Sequence, residues 1–185
     1  MHEVNQSSVR TMIDFSAECD NIHYMTMNRL PIMIDTIVPQ SQVSTDQVDR
    51  VYIEWFEINK RRLTRDTSSG NAILMQLEQG QEWHHRDALY HNGQLQAIVI
   101  VKPTLAIRFN PSDFVQLADF GYFVGNRHLP IFKVDQLESL HLPYDGRLYE
   151  QIAAKYGASI QLEEAILLSE NRIRQQLKNS RKHEN

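Results

Sequence analysis

The sequence predicts an α+β protein, with a small all-β domain first, a βαββαβ domain second and a flexible tail last. Short β-rich runs separated by turn residues fill residues 25–102. After Lys102-Pro103 the pattern changes, and strand-like segments alternate with two amphipathic helical segments over residues 103–168. Residues 169–185 are polar and have little apolar surface to bury. We therefore place the domain boundary at Lys102–Pro103.

Composition bounds the class of protein. A chain of 185 residues with 42% hydrophobic content is long enough for one full core or two small ones. Its net charge of −4 disfavours nucleic-acid binding by bulk electrostatics. The single cysteine, Cys19, excludes a disulfide framework and fits a reducing compartment. Residues 1–24 read as a loosely ordered extension without a secretory signal, and no apolar run reaches the ~20 residues of a membrane span. We expect a cytoplasmic protein.

The first domain is predicted to contain five or six strands and no long helix. Its clearest element is a hairpin at residues 87–101, because Asn92-Gly93 is the preferred filling of a two-residue type I′ turn, where both positions need positive φ. Runs of β-branched and aromatic residues predict further strands at residues 30–38, 50–56 and 72–77.

The second domain is predicted to have the order βαββαβ, which is that of a ferredoxin-like domain. The first helix spans residues 113–124, with Ser112 as its N-cap and Gly125 at its end. The second spans residues 146–157, with apolar side chains on one face. Strands are predicted at residues 104–109, 129–134, 137–142 and 158–164.

Motifs of the common enzyme classes are absent from the sequence. It contains no glycine-rich phosphate loop, no H-E-x-x-H and no G-x-S-x-G. Cys19 lies in the extension, where a catalytic thiol would lack a shaped pocket. We therefore expect a binding protein and not an enzyme. A metal-dependent hydrolase is a weaker alternative, because no set of three protein ligands is visible.

His128 is the first candidate for a metal ligand. It lies in "YFVGNRHLP", residues 122–130, and its imidazole suits Zn, Cu or Ni. One imidazole does not hold an ion tightly, so a second ligand comes from elsewhere in the chain or from a second copy across a two-fold axis. Exposure of the aromatics Phe120, Tyr122 and Phe123 would favour a second copy. The alternatives are an imidazole that bonds a backbone carbonyl and aromatics that pack within the subunit.

Other histidines and a basic run are weaker candidates. His183 lies in the tail, where a mobile imidazole completes a metal site only at an entropic cost. For His84, His85 and His141 the structural interpretation is favoured, and auxiliary metal sites there stay open. The run "KRRLTR" at residues 60–65 is either a solvated face or a docking site for an acidic partner.

Three segments, in order, resemble the UreE family of urease accessory proteins, which are nickel metallochaperones. They are "VYIEWFEINKRRLTR" (51–65), "GNRH" (125–128) and "PYDGRLYEQI" (143–152). The resemblance spans roughly residues 30–168. Four residues such as GNRH are weak alone, whereas three segments over the predicted β-then-βαββαβ plan are specific.

The resemblance implies a homodimer in which His128 of both subunits binds one nickel ion at the dimer axis, with zinc or copper as alternative ions. It implies that the first domain handles partner proteins, namely the urease apoprotein and the accessory proteins including the accessory GTPase. By the same resemblance, Asn126 and Arg127 shape the turn and do not bind the metal.

The sequence also departs from the family pattern. Many members have a histidine-rich tail, whereas this tail has only His183. Tyr144 and Gly146 occupy positions beside Asp145 where some members have auxiliary histidines. We therefore expect one or two ions per dimer.

An RNA-binding ferredoxin-like module is the main alternative from another functional class. Such modules stack bases on aromatic side chains of the sheet. The candidate strands offer only Phe109 and Phe132 for this purpose, and the acidic net charge opposes it.

Overall fold

The computed structural model describes residues 30–43, 48–134 and 139–174. In that part the chain forms eleven strands and two α-helices, so the predicted mixed α+β class is confirmed. The predicted extension, residues 1–24, lies outside the described residues, as do Cys19 and His183. Within the described residues, neither α-helix has the length and apolar content needed to cross a bilayer.

The β unit, residues 30–102, contains two sheets. Their strand orders are β1-β5-β4 and β2-β6-β7-β3. Within residues 50–100 the helical structure is a single 3-10 turn at Trp55–Glu57, as the strand pattern predicted. The strands are β1 Ile32–Met33, β2 Thr36–Val38, β3 Arg50–Ile53, β4 Arg62–Asp66, β5 Ala72–Gln76, β6 Ala88–His91 and β7 Gln94–Val101.

Side chains from both sheets of the β unit form one core around Trp83. This indole is fully buried with neighbours such as Ile53, Ile73 and Leu89. Its Nε1–H donates to the Lys60 carbonyl at 2.9 Å, so the buried polar atom keeps a partner. The core therefore ties the loop before β4 to the body of the unit.

The predicted hairpin joins β6 to β7. The two strands are antiparallel, and His91 lies opposite Gln94 across the turn. Asn92 and Gly93 have φ values of 50° and 73°. Both are positive, as the type I′ turn requires, and the prediction is confirmed.

The C-terminal unit, residues 104–165, is a four-stranded antiparallel sheet with two helices packed on one face. Its strand order is β11-β8-β10-β9. Buried side chains of α1, α2 and the sheet form its core, in which the Phe109 and Phe120 rings stack with centroids 3.8 Å apart. The elements are β8 Thr104–Phe109, α1 Phe114–Gly125, β9 Phe132–Val134, β10 Ser139–Pro143, α2 Gly146–Tyr156 and β11 Ile160–Ala165.

Aspartates cap both helices. In α2, Asp145 Oδ1 accepts from the Leu148 N–H at 2.8 Å. In α1 the cap is Asp113, which accepts from the Gln116 N–H at 2.8 Å, so the prediction of Ser112 as N-cap is wrong. The two candidate caps are adjacent, and the carboxylate takes the position because it is a charge-assisted acceptor at the positive end of the helix.

Residues after β11 return to contact both units. Leu167 packs with Ala106 and Phe132 of the C-terminal unit. Leu168 packs against the core of the β unit.

The two units also contact each other directly. The Trp55 ring of the β unit meets the Phe132 ring of the C-terminal unit edge-on, with centroids 6.1 Å apart. Residues 172–174, which follow β11, lie near the end of α1, because they line the same groove as Gly125 and His128.

Candidate metal centre

Helix α1 ends in a Schellman motif whose left-handed residue is His128. The His128 N–H donates to the Gly125 carbonyl at 3.0 Å, and the Leu129 N–H donates to the Val124 carbonyl at 3.2 Å. Leu129 packs against the cluster that contains Val124, which completes the motif. The φ of His128 is 53°. Such a conformation costs a residue with a side chain about 1–2 kcal/mol relative to glycine.

The sequence predicted that Gly125 would end this helix. Gly125 is indeed its last residue, but its φ is not positive, and the chain turns three residues later at His128. The left-handed position, which glycine usually fills, therefore holds an imidazole. A positive φ is uncommon for a residue with a side chain, and among the described residues His128 shares it with Gln40, Arg86 and Asn92.

Arg127 and Asn126 hold the turn from the helix side. The Arg127 guanidinium lies over the Phe123 ring, 3.6 Å from its centroid, and its Nη1 donates to the Phe123 carbonyl at 3.2 Å. The Asn126 N–H donates to the Tyr122 carbonyl at 3.1 Å. These residues satisfy the last carbonyls of α1.

The His128 side chain is exposed, and in the part of the chain that the structure describes its ring makes no hydrogen bond or ion pair. The alternative of an imidazole bonded to a backbone carbonyl is not seen there. An exposed imidazole without a hydrogen bond inside the fold is available as a metal ligand.

His141 and His85, by contrast, are engaged within the fold. His141 is buried, and its Nε2 lies 2.5 Å from Glu163 Oε1. His85 Nδ1 accepts from the Val101 N–H at 3.2 Å. Burial, with a smaller contribution from the nearby Arg86 charge, lowers the pKa of the His85 imidazole. Both histidines have structural roles that occupy a ring nitrogen.

His84 and His91 also have partners. His91 Nδ1 lies 2.8 Å from the Met33 carbonyl. His84 Nδ1 lies 3.8 Å from the buried Asp87 carboxylate, which accepts from the His84 N–H. Burial raises the pKa of the Asp87 carboxyl, although hydrogen bonds from backbone N–H groups oppose this effect.

The outward surface of α1 is apolar. Phe114, Val115 and Tyr122 are 80%, 75% and 73% exposed. Together with the exposed Ala118 we call them the α1 outer face. Phe120 is fully buried against Phe109, so for this ring the alternative of packing within the subunit holds. Phe120 points inward because it shares the sheet-facing side of α1 with Val124.

His128 also lines a groove between the two units, which we call the His128 groove. Its other walls come from the end of α1, the β unit and the segment after β11. They include Glu82, Ile131 and Arg174. Arg174 is the last described residue, and His183 lies nine positions further along the chain.

Within residues 30–43, 48–134 and 139–174, no three histidine, cysteine, aspartate or glutamate side chains cluster closely enough to hold an ion. The sequence predicted that His128 lies at the end of α1. It did not predict that Glu82 lines the same groove. Glu82 lies in a polar loop, "EQGQEWHH", where nothing marks one carboxylate above another.

The positive charge of the basic run at residues 60–65 is partly neutralised by a buried carboxylate. Glu57 is buried, and its Oε1 accepts from Lys60 Nζ at 2.9 Å and from the Arg65 guanidinium. Burial raises the pKa of the Glu57 carboxyl, but hydrogen bonds from the Glu54 N–H and Lys60, with the charges of Arg65 and Lys60, together lower it below its usual value. Two of the four cations are therefore structural.

The aromatics considered for RNA stacking are buried. Phe109 lies under the helices, and Phe132 lies beneath Trp55. Neither ring is available to a base, so the RNA-binding alternative loses its platform.

Comparisons with known proteins show which proteins this chain is similar to. The family model described as UreE urease accessory protein, N-terminal domain, matches residues 34–102. Proteins called urease accessory protein UreE are similar over longer stretches. The chain therefore resembles the urease accessory proteins called UreE in both comparisons. This resemblance, predicted from three sequence segments, is confirmed.

Three UreE relatives illustrate the extent of the similarity. The Flavobacterium johnsoniae protein is 28% identical over 122 residues, which are 65% of this chain and 73% of the relative. The Haemophilus influenzae strain PittEE protein is 28% identical over 116 residues, 62% of each chain. The Acetivibrio thermocellus protein is 29% identical over 106 residues, 57% of this chain and 68% of the relative. The chain therefore spans less than two thirds of the Haemophilus relative.

Proposed function

We propose that this chain is a nickel metallochaperone of the UreE family that binds the ion at His128 and delivers it to the urease apoprotein in the cytoplasm. The observation that supports it best is the state of His128. Its side chain is exposed, its ring is unbonded within the described residues, and its backbone is in a conformation that glycine usually adopts. A fold under selection for stability alone would favour glycine at this position.

Two copies of His128 supply the site, one from each subunit of a homodimer. The α1 outer face lies on the helix that ends at His128, and its exposed Phe114, Val115 and Tyr122 offer an apolar surface for a second copy. A two-fold axis through this surface repeats each residue and brings the two imidazoles towards each other. The dimer thus supplies ligands that one subunit lacks.

His183 supplies a further ligand from the tail. Arg174 lies in the His128 groove, and the nine residues from there to His183 extend at most ~30 Å. The imidazole of His183 therefore reaches the groove, at the entropic cost of ordering the intervening residues. When the tail does not supply its ligand, coordination of the ion is incomplete and the ion can leave. A chaperone that delivers its ion needs such release. The protein acts as a chaperone and not as an enzyme.

The two units have different roles in this proposal. The β unit, which the family model matches, binds the partner proteins, including the accessory GTPase. The C-terminal unit is ferredoxin-like and provides the metal site and the dimer contact. The domain division at residues 25–102 and 103–168, with a tail at 169–185, follows from this assignment. Zinc and copper are alternative ions, because imidazole binds all three.

Calorimetric nickel titration of the full chain and of His128→Ala tests this function. We expect His128→Ala to lose nearly all tight nickel binding, because the substitution removes both imidazoles at the dimer axis at once. His84→Ala is the matched control and should retain binding, since His84 lies beside Asp87. Unchanged affinity in His128→Ala would refute the assignment.

A further inference from the structure

Within the described residues the chain passes between its two units at two places, and His85 lies beside both. The first is the linker Lys102–Pro103, which joins Val101, the last residue of β7, to β8. The second is the segment after β11, where Leu168 packs against the core of the β unit. Glu170, two residues further along, is close enough for its charge to act on the His85 imidazole. The ring therefore lies at the joint between the units.

The side chain of His85 extends a backbone ladder along β7. The loop before β6 runs beside this strand, so that the Arg86 N–H donates to the Val99 carbonyl at 2.8 Å and the Val99 N–H donates to the Asp87 carbonyl at 2.9 Å. The next N–H on this side of β7 is that of Val101, and its acceptor is His85 Nδ1 at 3.2 Å. An imidazole nitrogen thus takes the place that a backbone carbonyl usually holds.

This hydrogen bond exists in only one protonation state of the ring. Nδ1 accepts through its lone pair, which a proton on that nitrogen removes. Val101 is only 1% exposed, so its N–H is shielded from water that could replace the acceptor. A buried N–H without an acceptor destabilises the structure around it. Protonation of His85 and the present position of Val101 therefore oppose each other.

Charged groups on both sides of the joint act on this imidazole. Burial lowers the pKa of His85, the Arg86 charge lowers it further, and the Glu170 carboxylate raises it by a smaller amount. The ammonium of Lys102 is paired with Glu54 at 2.8 Å. Because the pKa of His85 in the folded chain lies below its ordinary value of ~6.5, the folded chain binds fewer protons than the unfolded chain. The stability of the fold therefore decreases as the pH falls through that value.

We propose that His85 is a pH-sensitive switch at the joint between the two units: protonation of its imidazole releases the Val101 N–H and loosens the linker to the C-terminal unit. The imidazolium is then attracted by Glu170 on the returning segment. The walls of the His128 groove come from both units, so its shape changes when the joint loosens. The switch does not depend on nickel binding and operates in the metal-free chain.

Amide exchange in the metal-free full chain tests this switch. Between about pH 7.5 and pH 5, we expect the protection of the Val101 and Lys102 amides, corrected for the intrinsic pH dependence of exchange, to fall about tenfold or more, as for a lost buried hydrogen bond. The Ile98 amide, which donates to the Asp49 carbonyl at 2.9 Å, should keep its protection. Nitrogen-15 relaxation of the same samples should show the two units tumbling together at the higher pH and more independently at the lower pH.

His85→Asn is the decisive variant, because an amide Oδ1 accepts a hydrogen bond at either pH and does not titrate. This variant should keep the protection of Val101 at pH 5. His91→Asn is the matched control: it removes another imidazole, one bonded to the Met33 carbonyl, and should leave the pH dependence of Val101 unchanged. Glu170→Gln should move the midpoint of the Val101 change to lower pH, because it removes the charge that favours the imidazolium.

The titration of His85 itself provides a test even if a variant fails to fold. The NMR shift of its ring Cε1–H in the unsubstituted chain should give a pKa below ~6.5 and the same midpoint as the Val101 change. Unchanged Val101 protection at pH 5, full loss of that protection in His85→Asn, or a midpoint that differs from that of the His85 ring would each overturn the switch. The proposed nickel function would stand in all three cases, because the switch does not rest on it.

Discussion

The two helices of the C-terminal unit end in different ways. Helix α2 is followed by Gly157 with a φ of 54°, and α1 is followed, three residues after its end, by His128 with a φ of 53°. The two backbone conformations differ, because Gly157 has a ψ of −122°, outside the left-handed helical region that His128 occupies in its Schellman motif. The turn after α2 therefore requires glycine, whereas the turn after α1 accepts a side chain at a conformational cost.

The side chain at the α1 turn has a conformational cost that the glycine after α2 avoids. At Gly157 an added Cβ would meet no atom within 4 Å, so the glycine serves the backbone alone. At His128 the ring is exposed and adds no hydrogen bond within the described residues. A cost of about 1 kcal/mol at that position is explained if the ring has a ligand to bind.

The largest expected effect comes from replacing His128 with glycine, the residue that follows α2. His128→Gly should abolish tight nickel binding, by at least ~100-fold, while increasing the free energy of unfolding by about 1 kcal/mol through relief of the backbone. Nickel calorimetry and denaturant unfolding of the same samples measure both. A variant that is less stable than the original chain would contradict the account of the strain.

The second effect concerns the surface beside the His128 turn. Tyr122→Glu should weaken the dimer at least tenfold, because a two-fold interface would bury the new carboxylate twice. Sedimentation at micromolar protein with nickel present should then show monomers. Phe56→Glu is the matched control, since Phe56 is 58% exposed on the β unit. A strict monomer before any substitution would also refute the dimer.

The third effect concerns the other turn. Gly157→Ala should lower the free energy of unfolding by about 1–3 kcal/mol, because Gly157 has a φ of 54° and a ψ of −122°, a conformation that residues with a side chain rarely adopt, and nickel affinity should be unchanged. Gly121→Ala provides the control, because Gly121 lies inside α1 and an added Cβ there also meets nothing within 4 Å. That change should be neutral or stabilising. Equal destabilisation by both would show that backbone strain at Gly157 is not the cause.

The smallest effect comes from the tail. Truncation before Arg181 removes His183 and should weaken nickel binding only about threefold to tenfold, since ordering the tail offsets much of what its imidazole gains. The dimer should persist in sedimentation. Loss of all binding on truncation would make the tail, and not His128, the principal ligand.

Elements with strong local signals could be predicted from the sequence. The Asn92-Gly93 turn and α2 follow from residues within each element, and the structure shows both. The position of His128 at the end of α1 also followed from local sequence, namely the GNRH segment at residues 125–128. Adjacent cap formers, Ser112 and Asp113, could not be distinguished, because either side chain suits the N-cap.

Features that depend on distant contacts could not be predicted. The burial of Phe120 depends on the sheet face to which α1 presents it. Glu57 is close in sequence to Lys60 and Arg65, but the burial that holds its carboxylate beside both depends on the rest of the fold. Glu82 meets Arg174 across 92 positions of sequence. None of these contacts has a local signature.

The most direct test of the central claim, that two copies of His128 hold one ion, is the nickel stoichiometry of the unsubstituted chain measured together with its mass in solution. Calorimetric titration and sedimentation on the same preparation provide both values. The account predicts one tightly bound nickel ion for every two chains, on a dimer. One tightly bound ion per chain on a monomer would contradict it.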